Sequence, residues 1–141
     1  MAIHFFTEEI SFALKEKLNR KRWLTKIATN AGFKIKELNY VFCSEEYLYQ
    51  MNRNYLKHDT YTDIITFDNS EKKDEIEGDI FVSIDRVREN AKTHNQEVET
   101  EMNRVLAHGL LHLMGYKDKT KEEAALMRIK EEESIKLYVL S

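Results

Sequence analysis

Hydrophobic positions alternate over short stretches in the first half of the chain and recur at helical spacing in the second half. Ile3 to Phe6 is a short apolar run that predicts a first strand. Ile10, Phe12 and Leu14 alternate with polar residues and suggest another short strand. Asn19 fits the N-cap of a helix through Trp23, Ile27 and Ala28, and Gly32 fits its end. Residues 34–43 alternate loosely and predict a strand. Ser44, followed by Glu45 and Glu46, opens a helix: a capping oxygen, then acids at the positive end of the dipole. Tyr47, Leu48, Met51 and Tyr55 form its apolar face and are better suited to a core than to stacking on bases.

Asp63 to Phe67 predicts a β-branched strand, residues 69–77 a polar connection, and Gly78 to Ile84 a further strand. Asp85 is placed to cap a helix through Val87 and Ala91, and a longer helix runs from about Val98 to Met114. Thr120 with Glu123 is a capping-box pair that opens a C-terminal helix through Ala124, Met127, Ile135 and Leu137. The expected fold is α/β (α+β): a small mixed sheet of about four strands packed by about five helices. With no linker or repeat, residues 1–141 read as one domain.

Composition narrows the function classes. With 42% hydrophobic and 11% aromatic residues the chain is globular in character, and with no proline and four glycines it is neither collagen-like nor a proline-rich linker. A single cysteine, Cys43, cannot form an internal disulfide and points to a reducing compartment. No apolar run is long enough for a membrane span, and the first residues lack the pattern of a secretory signal, so the expected location is cytoplasmic. The net charge of −3 is unevenly spread, with 8 basic and 3 acidic residues before position 37. The cluster Lys15, Lys17, Arg20, Lys21, Arg22 and Lys26 suits phosphate contact, although such a cluster is more often a solvated helix face.

The chemistry concentrates between His108 and Asp118. His108 and His112 lie four residues apart on a helix, so both rings project from one face about a turn apart. Gly115 suits a helix C-cap and a sharp reversal, after which Asp118 can return toward the two rings. Two histidines and a carboxylate make a ligand set for Zn²⁺ with an open water position. Histidines four apart also fall by chance on helix surfaces, so the pair alone leaves an inert reading open. The glycine and the carboxylate at turn distance favour the metal. Gly109 occupies the position where a zincin peptidase carries its glutamate base, which argues against peptidase chemistry. No phosphate-cradling glycine loop, nucleophile elbow or Cys–His pair is apparent.

Three blocks resemble the YbeY-type endoribonucleases, bacterial rRNA maturation factors. The family signature His-Gly-x-Leu-His-Leu-x-Gly-Tyr-Asp-His is matched by His108, Gly109, Leu111, His112, Leu113, Gly115 and Tyr116. A second block, Asn-x-x-Tyr-Arg-x-x-Asp-x-x-Thr-Asp-Val-Leu-Ser-Phe, is echoed by Asn52, Tyr55, Asp59, Thr62, Asp63, Ile64, Ile65, Thr66 and Phe67. A third, Gly-Asp-Ile, appears as Gly78, Asp79 and Ile80, with Ser83 after it. The chain departs from the pattern at three points. Lys117-Asp118 stands in place of Asp-His, so Asp118 replaces the third histidine ligand. Leu56 replaces the arginine assigned to the RNA phosphate, a task open here to Arg53, Lys57 or His58. Asp68 replaces a frequent proline.

The resemblance implies a metal-dependent, single-strand-specific endoribonuclease acting in rRNA processing at the 16S rRNA 3′ end and in ribosome quality control. It implies one Zn²⁺ per chain on His108, His112 and Asp118, and phosphate contacts from Arg53 and Lys57. Its implied partners are single-stranded rRNA and small-subunit ribosomal proteins, with no membrane. The competing expectations are a zinc hydrolase of a non-RNA substrate and a non-catalytic, ribosome-associated metalloprotein. Thr66 and Ser83 have polar tips suited to a cleft or to ordinary sheet positions. Asp79 suits a turn or a role behind the ligands, and Asp63 fits either.

Overall fold

A computed structural model describes residues 2–55 and 62–140. Its elements follow in the order β1 (Ile3–Glu8), α1 (Lys17–Asn30), β2 (Lys34–Cys43), α2 (Glu45–Tyr55), β3 (Ile64–Asp68), β4 (Glu75–Ser83), α3 (Ile84–Thr93), α4 (Val98–Leu113) and α5 (Lys121–Leu140). The four strands form one mixed sheet in the order β1-β2-β4-β3. β1 and β4 run parallel to β2, and β3 returns antiparallel along the outer edge of β4.

The alternation of side chains divides the sheet into two faces. Leu38, Tyr40 and Phe42 of β2, with Ile76, Ile80 and Val82 of β4, point into the main core. Trp23, Leu24 and Ile27 of α1 and Met102, Val105, Leu106 and Leu110 of α4 fill it from above. On the other face Cys43 and Ile65 form a smaller cluster with Leu48 of α2. α4 is therefore a central helix, pressed between the sheet and α5. Two glycines permit this approach. A Cβ on Gly109 would stand 2.9 Å from Ile80 Cδ1 and 3.0 Å from Ile64 Cδ1, and one on Gly78 would stand 3.0 Å from Leu113 Cδ1 of α4. The position that lacks a peptidase's glutamate is thus where α4 touches the sheet.

The structure alters several local expectations. Residues 10–14 form no strand; Leu14 is buried, and Ile10 and Phe12 pack against the main core from an irregular segment. Glu9 (φ 57°) and Glu16 (φ 53°) bracket that segment in the left-handed region, which interrupts extended pairing. Helix α1 begins before Asn19, with Glu16 at its N-cap. β4 begins at Glu75, so the last part of the polar connection is strand; Ile76 alone marks its buried face among charged neighbours. Ser83, not Asp85, caps α3 by accepting from Arg86 N–H at 3.2 Å. Asp85 accepts instead from the Glu45 N–H at the start of α2, at 2.9 Å. The Thr120–Glu123 box forms reciprocally, at 2.9 and 3.1 Å.

Candidate metal centre

The last two turns of α4 carry His108 and His112, with ring centroids 4.5 Å apart. Gly115 then reverses the chain at φ 105°. Its N–H reaches the His112 carbonyl at 3.0 Å, and the Tyr116 N–H reaches the Leu111 carbonyl at 3.0 Å. This pair of bonds is a Schellman ending, which needs a residue free to adopt positive φ at the glycine position. The reversal brings Asp118 back over the helix end.

Three donor atoms meet there. His108 Nε2 and His112 Nε2 are 3.0 Å apart, and Asp118 Oδ2 is 3.4 Å from each. Ligands ~2.0–2.2 Å from a tetrahedral cation stand ~3.3–3.6 Å from one another. The observed triangle is close to those dimensions, so the residues present fit a small divalent cation. Side-chain exposure rises from 20% at His108 and 26% at His112 to 41% at Asp118. The centre therefore opens to solvent on the Asp118 side.

Behind His108 the environment is buried and charged. Its Nδ1 lies 2.6 Å from Glu131 Oε2 of α5, within hydrogen-bond distance. Burial pulls the His108 pKa down; the Glu131 hydrogen bond and charge, with Asp118 and Asp63 behind them, outweigh this and hold it above the ordinary imidazole value. Arg104, one turn earlier on α4, lies 3.4 Å from Glu131, 2.7 Å from Glu132 and 3.7 Å from Glu101. Burial raises the Glu101 carboxyl above its usual range, against the pull of Arg104 and His94.

A comparison with known proteins decides the lineage. The family described as Endoribonuclease YbeY matches residues 3–139. The chain belongs to that family. A relative named Endoribonuclease YbeY from Cytophaga hutchinsonii is 57% identical over 135 residues, covering 96% of this chain and 94% of its own. One of the same name from Christiangramia forsetii is 46% identical, again covering 96% and 94%. The solution structure of a Thermotoga maritima protein shares the fold with a TM-score of 0.69 and 27% identity, covering 96% of this chain and 88% of that one. The YbeY family membership and the α/β fold are thereby established together.

The other candidate residues divide. Arg53 is exposed in the last turn of α2, and among the described residues no hydrogen bond or ion pair joins it to the histidines. Lys57, Leu56, His58 and Asp59 lie outside the described residues. Ser83 is fully buried as a helix cap and lines no cleft. Asp79 accepts from Asn39 at 3.0 Å and Asn69 at 3.4 Å, tying β4 to its surroundings rather than to the histidines. Asp63 accepts from Asn90 at 3.4 Å and acts on His108 through its charge.

Arg20, placed by its sequence in a basic cluster, is 1% exposed and unavailable to phosphate. Sequence reasoning missed Glu131 and Arg104. The available signal was Glu131 falling in line with Met127 and Ser134, a carboxylate inside the buried stripe of α5.

Proposed function

We infer that this chain is a metal-dependent endoribonuclease of rRNA processing whose metal is held by His108, His112 and Asp118. The observation that carries the reading is the convergence of three donor atoms, 3.0 to 3.4 Å apart, at the signature motif of an endoribonuclease family. Two imidazoles and one carboxylate with an open side favour Zn²⁺, one per chain. When bound, the cation supplies Lewis-acid polarisation of a phosphoryl oxygen and lowers the pKa of water from ~15.7 toward ~7.

The chain's own residues do the remainder. Asp118 adds a negative charge where the family signature has histidine, which makes the bound cation a weaker Lewis acid. His108 and His112, on a helix wedged against the sheet, hold their donors in place before substrate arrives. RNA approaches from the open Asp118 side, and Arg53 and Lys57 balance the charge on the phosphate. Hydrolysis adds water oxygen to phosphorus, breaks one ester P–O bond and returns a proton to the departing oxygen. The substrate is single-stranded rRNA, with the 16S rRNA 3′ end as the site of action and small-subunit ribosomal proteins as partners. Residues 1–141 work as one catalytic domain. The place of work is the cytoplasm, in keeping with the lack, among the described residues, of a helix long and apolar enough to cross a membrane.

The test is cleavage of a single-stranded rRNA fragment by purified protein, by its chelated and Zn²⁺-restored forms, and by an Asp118→Ala variant. Loss with chelator, recovery with Zn²⁺ and a large loss in the variant are expected. Equal cleavage in every lane, or none in any, sinks the reading. A 2′,3′-cyclic phosphate on the product counts against attack by water.

A further inference from the structure

We propose that Glu131 is a positioning residue of the metal centre: it fixes His108 in the tautomer that leaves Nε2 bare, and Arg104 holds Glu131 in place. The proposal rests on the reading of His108 as a ligand.

A buried carboxylate is costly unless it is paired and hydrogen-bonded. The neighbouring acids of α5 avoid that cost at the surface, with Glu132 48% and Glu133 59% exposed. Glu131 is only 8% exposed, and both its oxygens are engaged. Oε1 faces Arg104 at 3.4 Å, and Oε2 lies 2.6 Å from His108 Nδ1.

The consequence follows from what each group can donate. An ionised carboxylate only accepts, so the His108 hydrogen must sit on Nδ1. In the neutral ring Nε2 then keeps its lone pair. That same Nε2 faces His112 and Asp118. A carboxylate on the far nitrogen also makes the imidazole a better donor to a cation.

The arrangement is asymmetric. Among the described residues, no carboxylate contacts His112 Nδ1, so His108 is the anchored ligand of the pair. Arg104 supplies the anchor. It stands four residues before His108 on α4 and is shared among Glu101, Glu131 and Glu132, so it ties α5 to the helix that carries both rings. An ion pair that served only to join α4 to α5 would place no demand on the histidine proton, and this separates the two roles.

The experiment uses the full metal-free chain. Nitrogen-15 NMR at a pH where the rings are neutral reads the His108 tautomer. Zn²⁺ alone, titrated in competition with a chromophoric chelator, reads affinity. Glu131→Met removes the acceptor and suits an apolar stripe; Glu131→Gln keeps an accepting oxygen without the charge. Wild type is expected to carry the hydrogen on Nδ1. Glu131→Met is expected to lose that preference and bind Zn²⁺ ~10–100-fold more weakly, while Glu131→Gln keeps the tautomer and recovers part of the affinity. An Nε2–H tautomer in wild type overturns the proposal without any variant. So does a folded Glu131→Met protein with unchanged tautomer or unchanged Zn²⁺ affinity. Failure of the underlying site looks different: wild type keeps the Nδ1 hydrogen yet takes up no Zn²⁺, which overturns the metal centre itself.

Discussion

Helix α4 meets two clusters of polar side chains, and they are built on opposite principles. Near its start Arg20 of α1 is buried against it, with every guanidinium nitrogen engaged. Nε donates to Asn103 at 3.0 Å, one terminal nitrogen to the Lys15 carbonyl, and the other to Glu99 at 3.3 Å, while Cζ lies 5.6 Å from the centroid of the Tyr138 ring. At the end of α4, the histidine nitrogens and the Asp118 oxygen point toward one another around a common centre. A structural cluster pairs donors with acceptors. A metal centre converges several potential lone-pair donors on one point, as His108 Nε2, His112 Nε2 and Asp118 Oδ2 do here at 3.0 to 3.4 Å from one another. The difference in donor chemistry, more than burial or charge, separates the functional corner from the structural one.

The comparison can be broken from either side. The largest expected effect is on His112→Ala. Zn²⁺ affinity should fall by more than the ~100-fold that loss of an outer partner causes, and RNA cleavage should disappear. Thermal unfolding of the metal-free protein should change by less than ~1 kcal/mol. Chelator competition and calorimetry on one preparation check both halves. Arg20→Ala should do the reverse, because it empties a buried position and leaves the buried Asn103 oxygen unpaired. It should cost about 2–3 kcal/mol in denaturant unfolding while Zn²⁺ affinity stays at the wild-type value. A variant at either place that moved both quantities would erase the distinction.

The smallest effect concerns Cys43, a soft potential ligand on the other face of the sheet. It is fully buried, and burial pushes its thiol up to about 12, with Asp85, Glu8 and Glu9 adding to the rise. At pH 8 the native thiol should resist alkylation and become reactive only on unfolding. The sign of the linkage is fixed by the upward shift. The neutral buried thiol contributes its full stability below the ordinary value of 9.0, and that contribution is lost as pH rises toward about 12. The stability gap between wild type and Cys43→Ala should change over that window and stay flat below it, as measured by denaturant unfolding across pH.

What the chain alone determined is local. The four-residue spacing of His108 and His112 places both rings on one helix face whatever surrounds it, and Gly115 permits the one backbone conformation that returns Asp118. The capping box at Thr120, the helix end at Gly32 and the span of β2 were legible for the same reason: each depends on residues within one or two turns. The apparent strand at residues 10–14 misled because side chains dropping into a core from an irregular segment alternate just as those of a strand do. Asp85 misled because its carboxylate serves α2, forty residues away, while Ser83 caps its own helix.

Only the tertiary structure decided which polar groups became partners. Arg20 looked like a surface base until Asn103 closed over it, and Glu131 looked like one acid among many until α5 packed on α4. Periodicity records which side of an element is buried. It does not record what the buried side will meet, because the meeting depends on how distant segments approach one another.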